Sequence, residues 1–171
     1  MRKALSAAAV SILLAAGGTV AAAGSANAAT ANAASAAAAS SSTTICYKAH
    51  VQDIGWQGVT CDGGLAGTTG QNLHLEALTV ATGGTGGLCI RAHVQSIGWQ
   101  SWRCAGDYTD VTVGTTGQNL QIEAIEIQVG TGVYANAHLA GTGWQGWYYG
   151  SDVAVGTIGQ NRAMEAIELM V

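Results

Sequence analysis

Three histidines recur at one position of a repeated string. The copies are Ala49-His50-Val51-Gln52-Asp53-Ile54-Gly55-Trp56-Gln57, Ala92-His93-Val94-Gln95-Ser96-Ile97-Gly98-Trp99-Gln100 and Ala137-His138-Leu139-Ala140-Gly141-Thr142-Gly143-Trp144-Gln145. Imidazole and carboxamide groups both donate and accept hydrogen bonds, as recognition of neutral hydroxyls requires. Each His and the Gln seven residues later (Gln57, Gln100, Gln145) therefore make a candidate sugar-binding pair. A structural hydrogen bond is the plainer reading, and three neutral imidazoles on an axis are also a known zinc arrangement.

A second block follows each string: Gly67-Thr68-Thr69-Gly70-Gln71-Asn72, Gly114-Thr115-Thr116-Gly117-Gln118-Asn119 and Gly156-Thr157-Ile158-Gly159-Gln160-Asn161. It lacks the lysine of a phosphate-binding loop and precedes a strand, so it reads as a turn rather than a nucleotide cradle. The amides of Gln71, Asn72, Gln118, Asn119, Gln160 and Asn161 are further candidates for sugar hydroxyls. Glu76, Glu123 and Glu165 then interrupt apolar strands, and a buried carboxylate requires a partner such as a backbone N–H, an indole or the histidine. Glycoside hydrolysis needs a second carboxylate; Glu126 and Glu168 are candidates, but repeat one has Thr79 there. No serine recurs at a fixed distance from the histidines, so a hydrolytic triad has no support. Triplication favours binding over catalysis, and no enzymatic activity, metal or other cofactor is expected. His74 has no counterpart and reads as incidental.

The elements that must position these groups follow from a period of two. Tyr47, Ala49 and Val51 face one way, and Cys46, Lys48 and His50 the other. The tryptophans lie 43 and 45 residues apart, typical of repeat architectures. Each Trp starts a return strand after a four-residue hairpin loop, Gln52 to Gly55 in repeat one. In the register that sets Cys46 opposite Cys61, Lys48 faces Val59 and His50 faces Gln57. Repeat two likewise pairs Cys89 with Cys104, Arg91 with Trp102 and His93 with Gln100. Repeat three pairs Tyr134 with Tyr149, Asn136 with Trp147 and His138 with Gln145. Both cysteines of a pair become tyrosine together, which assigns the disulfides as Cys46–Cys61 and Cys89–Cys104.

In this register Trp56, Trp99 and Trp144 lie on the face opposite the cysteines and anchor the hairpin inward. Trp102 and Trp147 lie on the other face, where an aromatic ring can stack on a sugar or, for Trp102, on Arg91. Apolar parity switches at Glu76-Ala77, which predicts a β-bulge. With short third strands (Asp110 to Val113, Asp152 to Val155), each repeat holds about four strands. The fold class is all-β, three tandem four-stranded repeats (45–82, 88–129, 132–171) with pseudo-threefold symmetry, as a β-prism or a β-trefoil.

Composition narrows the partners. Residues 45–171 carry ten acidic and four basic side chains, a net charge of −6, which excludes polyanion binding by clustered Lys and Arg and an anionic membrane surface. Met1-Arg2-Lys3, the apolar run Ala4 to Val20 and Ala26-Asn27-Ala28 form the three parts of a secretory signal, residues 1–28. Ala31-Asn32-Ala33 is a second possible cut, and 29–44 is an Ala/Ser-rich spacer or removed segment. No later run is long and apolar enough to insert in a bilayer as a helix.

The three phased copies of His-Val-Gln-x-Ile-Gly-Trp-Gln, Gly-Thr-Thr-Gly-Gln and Leu/Ile-Glu-Ala-Ile resemble the clostridial hydrophobic W repeat family over residues 45–171. Repeat three departs by Ala140 and by its missing cysteines, and repeat one by Val59. That resemblance implies a secreted or surface-displayed protein with an adhesive role. A leader followed by three such repeats is also similar to small secreted streptomycete hemagglutinins, which implies a lectin for L-rhamnose or galactose-type sugars on cell-surface glycans. The alternative is a surface module that adheres to a protein or a wall polymer.

Overall fold

The computed structural model describes residues 42–171; the leader and all but the end of the spacer lie outside the described residues. Every regular element among them is a β-strand. Repeat one contributes β1 (Thr44–Val51), β2 (Gly55–Trp56), β3 (Thr60–Cys61), β4 (Ala66–Gly67) and β5 (Leu75–Gly83). Repeat two contributes β6 (Leu88–Val94), β7 (Gly98–Trp99), β8 (Arg103–Ala105), β9 (Val111–Gly114) and the first half of β10 (Ile122–Leu139). The second half of β10, β11 (Gly143–Trp144), β12 (Tyr148–Gly156) and β13 (Met164–Met170) make repeat three.

The alternating apolar pattern does what the period of two predicts. Along β1, Ile45, Tyr47, Ala49 and Val51 are all at most 1% exposed and enter one core, while the residues between them face outward. Leu78, Ile90, Ile125, Leu139 and Ile167 complete the same core from the other repeats. Tyr47 is its polar exception: the phenol donates to the Gly64 carbonyl and accepts from the Leu169 N–H at 2.8 Å. Burial pushes its pKa up to about 12.

Three equivalent sheets surround this core in a prism-like arrangement, and each takes strands from two repeats. In the first, β2 and β3 lie along β1, β1 pairs with β5, and β5 pairs with β9 of repeat two. The second repeats this with β7 and β8, β6, the first half of β10, and the end of β12. In the third, β11 and the start of β12 flank the second half of β10, which pairs with β13; β13 pairs with β4 of repeat one. The fourth strand of every sheet thus comes from the next repeat, and repeat one closes the ring onto repeat three.

The expected bulge is present at each glutamate. His50 faces Ala77 and Val51 faces Leu75, so Glu76 is the extra residue. The same skip occurs at Glu123 and Glu165. Both disulfides pair as the register requires, with Cα atoms 4.1 Å apart at Cys46–Cys61 and 4.0 Å at Cys89–Cys104. Tyr134 and Tyr149 replace them by stacking at 4.3 Å.

The hairpin tip corrects the sequence reading. His50 faces Trp56, not Gln57, and Val51 faces Gly55, whereas Cys46 still faces Cys61. His93 and His138 likewise face Trp99 and Trp144 instead of Gln100 and Gln145. The loop holds three residues rather than four, and Gly55, Gly98 and Gly143 take left-handed φ values of 84°, 83° and 86°, as a three-residue hairpin with a glycine bulge demands. One surplus residue between each Trp and the cysteine position is taken up where the return strand leaves the ladder. The expected pairs Lys48–Val59, Arg91–Trp102 and Asn136–Trp147 are therefore absent from the ladder.

Candidate functional site

The offset turns Trp56, Trp99 and Trp144 onto the outer face with the histidines, the reverse of the expected inward anchoring. Trp56 is 42% and Trp144 38% exposed, and Trp99 is half-buried. Each indole meets its histidine edge-to-face, with ring centroids 5.2, 5.4 and 5.2 Å apart in repeats one to three. Such contacts add about 0.5 to 1.5 kcal/mol beyond burial and fix the imidazole plane.

The bulged glutamate lies behind each ring. Nδ1 of His50 is 2.8 Å from Glu76 Oε2, and the distance is 3.0 Å for both His93–Glu123 and His138–Glu165. These contacts have the length of a hydrogen bond without its alignment, so each Nδ1 is a buried nitrogen with no well-directed partner. The glutamates are only 5 to 6% exposed, and each keeps its histidine nitrogen within 3.0 Å. The three imidazoles do not converge: among the described residues no group of three or more His, Cys, Asp or Glu side chains is placed to hold a metal ion.

Gln57, Gln100 and Gln145 do not meet their histidines. Each amide spends both ends on one backbone glycine. Gln57 accepts from the Gly67 N–H at 2.7 Å and donates to its carbonyl at 3.0 Å. Gln100 does the same to Gly114 and Gln145 to Gly156. These three predicted sugar contacts are structural clamps, because the groups that would address a ligand are already paired.

The clamp delivers a loop of one repeat to the site of its neighbour. Thr115 N–H bonds the Glu76 carbonyl at 2.8 Å, and Thr157 and Thr68 bond Glu123 and Glu165 at 2.9 Å. Gly117 to Asn119 therefore border the His50 site, Gly159 to Asn161 the His93 site, and Gly70 to Asn72 the His138 site. At the last of these the walls enclose a cleft of about 450 Å³ lined by Gly70, Asn72, His138, Thr142, Gly143 and Glu165, among others. Gln71, Asn72, Gln118, Asn119, Gln160 and Asn161 are all exposed, and the asparagines hold left-handed φ values of 55°, 53° and 47°, which Asn tolerates.

Trp102 and Trp147 sit on the outer face as expected. In repeat two the Arg91 guanidinium lies 4.7 Å from the rings of both Trp99 and Trp102, and Nη2 contacts Glu126 at 2.5 Å. Lys48 stands over Trp56 at 5.3 Å. Repeat three has Asn136 at this position. Its amide donates to Glu168 and accepts from the Gly146 N–H, both at 3.1 Å, and Trp147 remains 46% exposed.

A family model described as Clostridial hydrophobic W matches residues 50–87, 93–130 and 138–171. The chain belongs to the clostridial hydrophobic W family. No curated protein and no solved structure matches it. In this chain every matched hydrophobic W repeat begins at the histidine that contacts the bulged glutamate. The two disulfides suit an extracellular or otherwise oxidising environment. The tryptophan at the hairpin end is the site residue that sequence reasoning misplaced. Its signal was the glycine immediately before each Trp, which marks a three-residue hairpin.

Proposed function

We propose that this hydrophobic W protein is an exported lectin, with one shallow glycan site per repeat where the Trp–His–Glu unit meets the loop of the next repeat. A sugar ring stacks on the indole of Trp56, Trp99 or Trp144. Its hydroxyls bond the free Nε2 of the histidine and the amides of Asn119, Asn161 or Asn72. Neutral deoxyhexoses and hexoses of the L-rhamnose and galactose type are the proposed ligands, and the negative net charge and lack of a basic cluster favour them over polyanions.

One observation carries the reading: a Trp on the outer face, exposed in repeats one and three and half-buried in repeat two, is set edge-on to a His–Glu pair in all three, with centroid distances within 0.2 Å of each other. Catalysis has no use for three equivalent copies, whereas binding does. A single-sugar site of about millimolar Kd, near −4 kcal/mol, gains avidity when covalently linked to others.

The test uses the purified mature protein. Agglutination of glycan-bearing cells, reversed by free L-rhamnose or galactose and weakened by Trp144→Ala, supports the reading; no binding across a broad glycan array rejects it. A second reading, adhesion to a protein or wall polymer, rests on Ile54 and Ile97, each 50% exposed at the hairpin tips. Retention by cell walls that is lost in Ile54→Ser/Ile97→Ser but kept in Trp144→Ala favours it.

A further inference from the structure

The three junctions between repeats are not equal near the pseudo-threefold axis. At the junction of repeats two and three, Gln95 and Gln121 both donate to Asn161 Oδ1, at 2.9 and 3.3 Å. Gln121 also donates to Glu123 Oε1 at 3.3 Å. Backbone bonds identify the counterparts: Gln95 N–H to the Gln121 carbonyl matches Gln52 to His74 and Ala140 to Ala163. Repeat three therefore has alanine where repeat two has both glutamines. Asn72, the counterpart of Asn161, receives neither bond, and Glu165, the counterpart of Glu123, loses its amide donor.

The two truncations leave a cavity of about 260 Å³ bounded by Asn72, Glu165, Ala140 and Ala163 and, across the axis, by Gln52, His74 and Gln121. His74 Nε2 is sealed from solvent without a partner, and burial pushes its pKa down. This cavity shares only Asn72 and Glu165 with the cleft beside His138. Its walls hold acceptors with no donor and amide groups able to donate. An apolar occupant would leave both unpaired, which is costly.

We propose that this axial cavity is a fourth binding site, for a monosaccharide-sized neutral molecule with a vicinal diol. One hydroxyl donates to Glu165 and its neighbour to Asn72, the two positions a glutamine N–H₂ would serve. The sugar oxygens accept from the Gln52 amide, and an ammonium group has no lone pair with which to do so. Glu165 excludes an anion. The site exists once per chain because only repeat three is truncated at both positions, and it stands whether or not the rim tryptophans bind glycans.

The experiment follows the side-chain amide NMR signals of Asn72, Gln52 and Gln121 during titration with D-galactose and L-rhamnose, with ethylammonium and acetate as comparisons. Ala140→Gln/Ala163→Gln rebuilds the arrangement already present in repeat two and fills the cavity; Ala163→Gln alone serves if the double variant does not fold. Saturable shifts with a sugar, weakened about tenfold or more by filling and retained in Trp144→Ala, are expected. Shifts that survive filling, that appear with ethylammonium instead, or that vanish in Trp144→Ala overturn the proposal. So does the absence of any saturable shift, which would mean that water alone fills the space. Loss of agglutination in Trp144→Ala with the axial shifts intact separates the rim sites from this one.

Discussion

Gln57 grips Gly67 by both ends of its amide, accepting from the N–H at 2.7 Å and donating to the carbonyl at 3.0 Å. A side chain thereby does what a ladder residue would do, and it carries β4 across to β13 of another repeat. Gln57→Leu breaks both bonds and leaves two backbone groups unpaired. At roughly 1 kcal/mol for each bond, the expected loss is about 2 kcal/mol, read as a lower urea midpoint with an unchanged m-value. Gln100→Leu and Gln145→Leu should match it.

Gly67 tolerates no side chain. Its φ is 114°, and a Cβ there would collide with the backbone of Glu165 and Ala166. Gly114 and Gly156 stand in the same relation to Glu76–Ala77 and Glu123–Ala124. Gly67→Ala is expected to cost about 3 kcal/mol or more, since left-handed strain and a backbone clash add. Gly70→Ala, where nothing lies within 4 Å, isolates the strain; the difference between their melting temperatures measures the clash.

Each disulfide spans 15 residues. Replacing one cysteine pair by alanines should cost about 3 kcal/mol on the chain-entropy model. Tyr134 and Tyr149 face each other in the same register as the cysteine pairs. Tyr134→Cys/Tyr149→Cys should therefore oxidise to a third bridge, detected as absence of thiol reactivity in the folded protein and its return after reduction. Persistent free thiols would show that repeat three has a different local geometry.

Asp107 makes stability depend on acid. Its carboxylate accepts from Gly86 N–H at 2.8 Å and from the Thr85 and Thr82 hydroxyls at 3.0 Å. These bonds, the Gly86 bond foremost, hold its pKa down at about 2. The folded value lies below the ordinary 3.8, so the contribution is complete above pH 3.8 and disappears as pH falls through 2. Urea midpoints from pH 5 to 2 should fall more steeply for the wild type than for Asp107→Asn.

Tyr47 supplies the opposite limb. Burial raises its pKa to about 12, so its contribution is complete below pH 10 and is lost as pH rises through 12. Spectroscopic titration of the phenols should show one tyrosine ionising near 12, above the ordinary phenol value of 10.0, and Tyr47→Phe should remove that step.

Much of this molecule was legible because its physics is periodic. Alternation along residues 45–51 exposed the strand faces, the parity switch at Glu76 exposed the bulge, and the paired exchange of cysteines for tyrosines exposed the register at that end. The far end escaped because one residue of slack flips every side chain beyond it. That slip sent Trp56 outward and Gln57 into its clamp. The exchange of β4, β9 and the end of β12 between neighbouring repeats also escaped. No local pattern says which strand a two- to four-residue segment will join when several equivalent edges are available.

The bond between β4 and β13 has a consequence for how this chain can be made and altered. Because β4 of repeat one waits for β13, the third sheet gains its full complement of partners only after β13 has been synthesised, although β4 was made some hundred residues earlier. Copy number is likewise locked. Deleting or adding one unit would open a ring instead of shortening or lengthening a rod, so diversification must proceed by exchange of side chains within three fixed places.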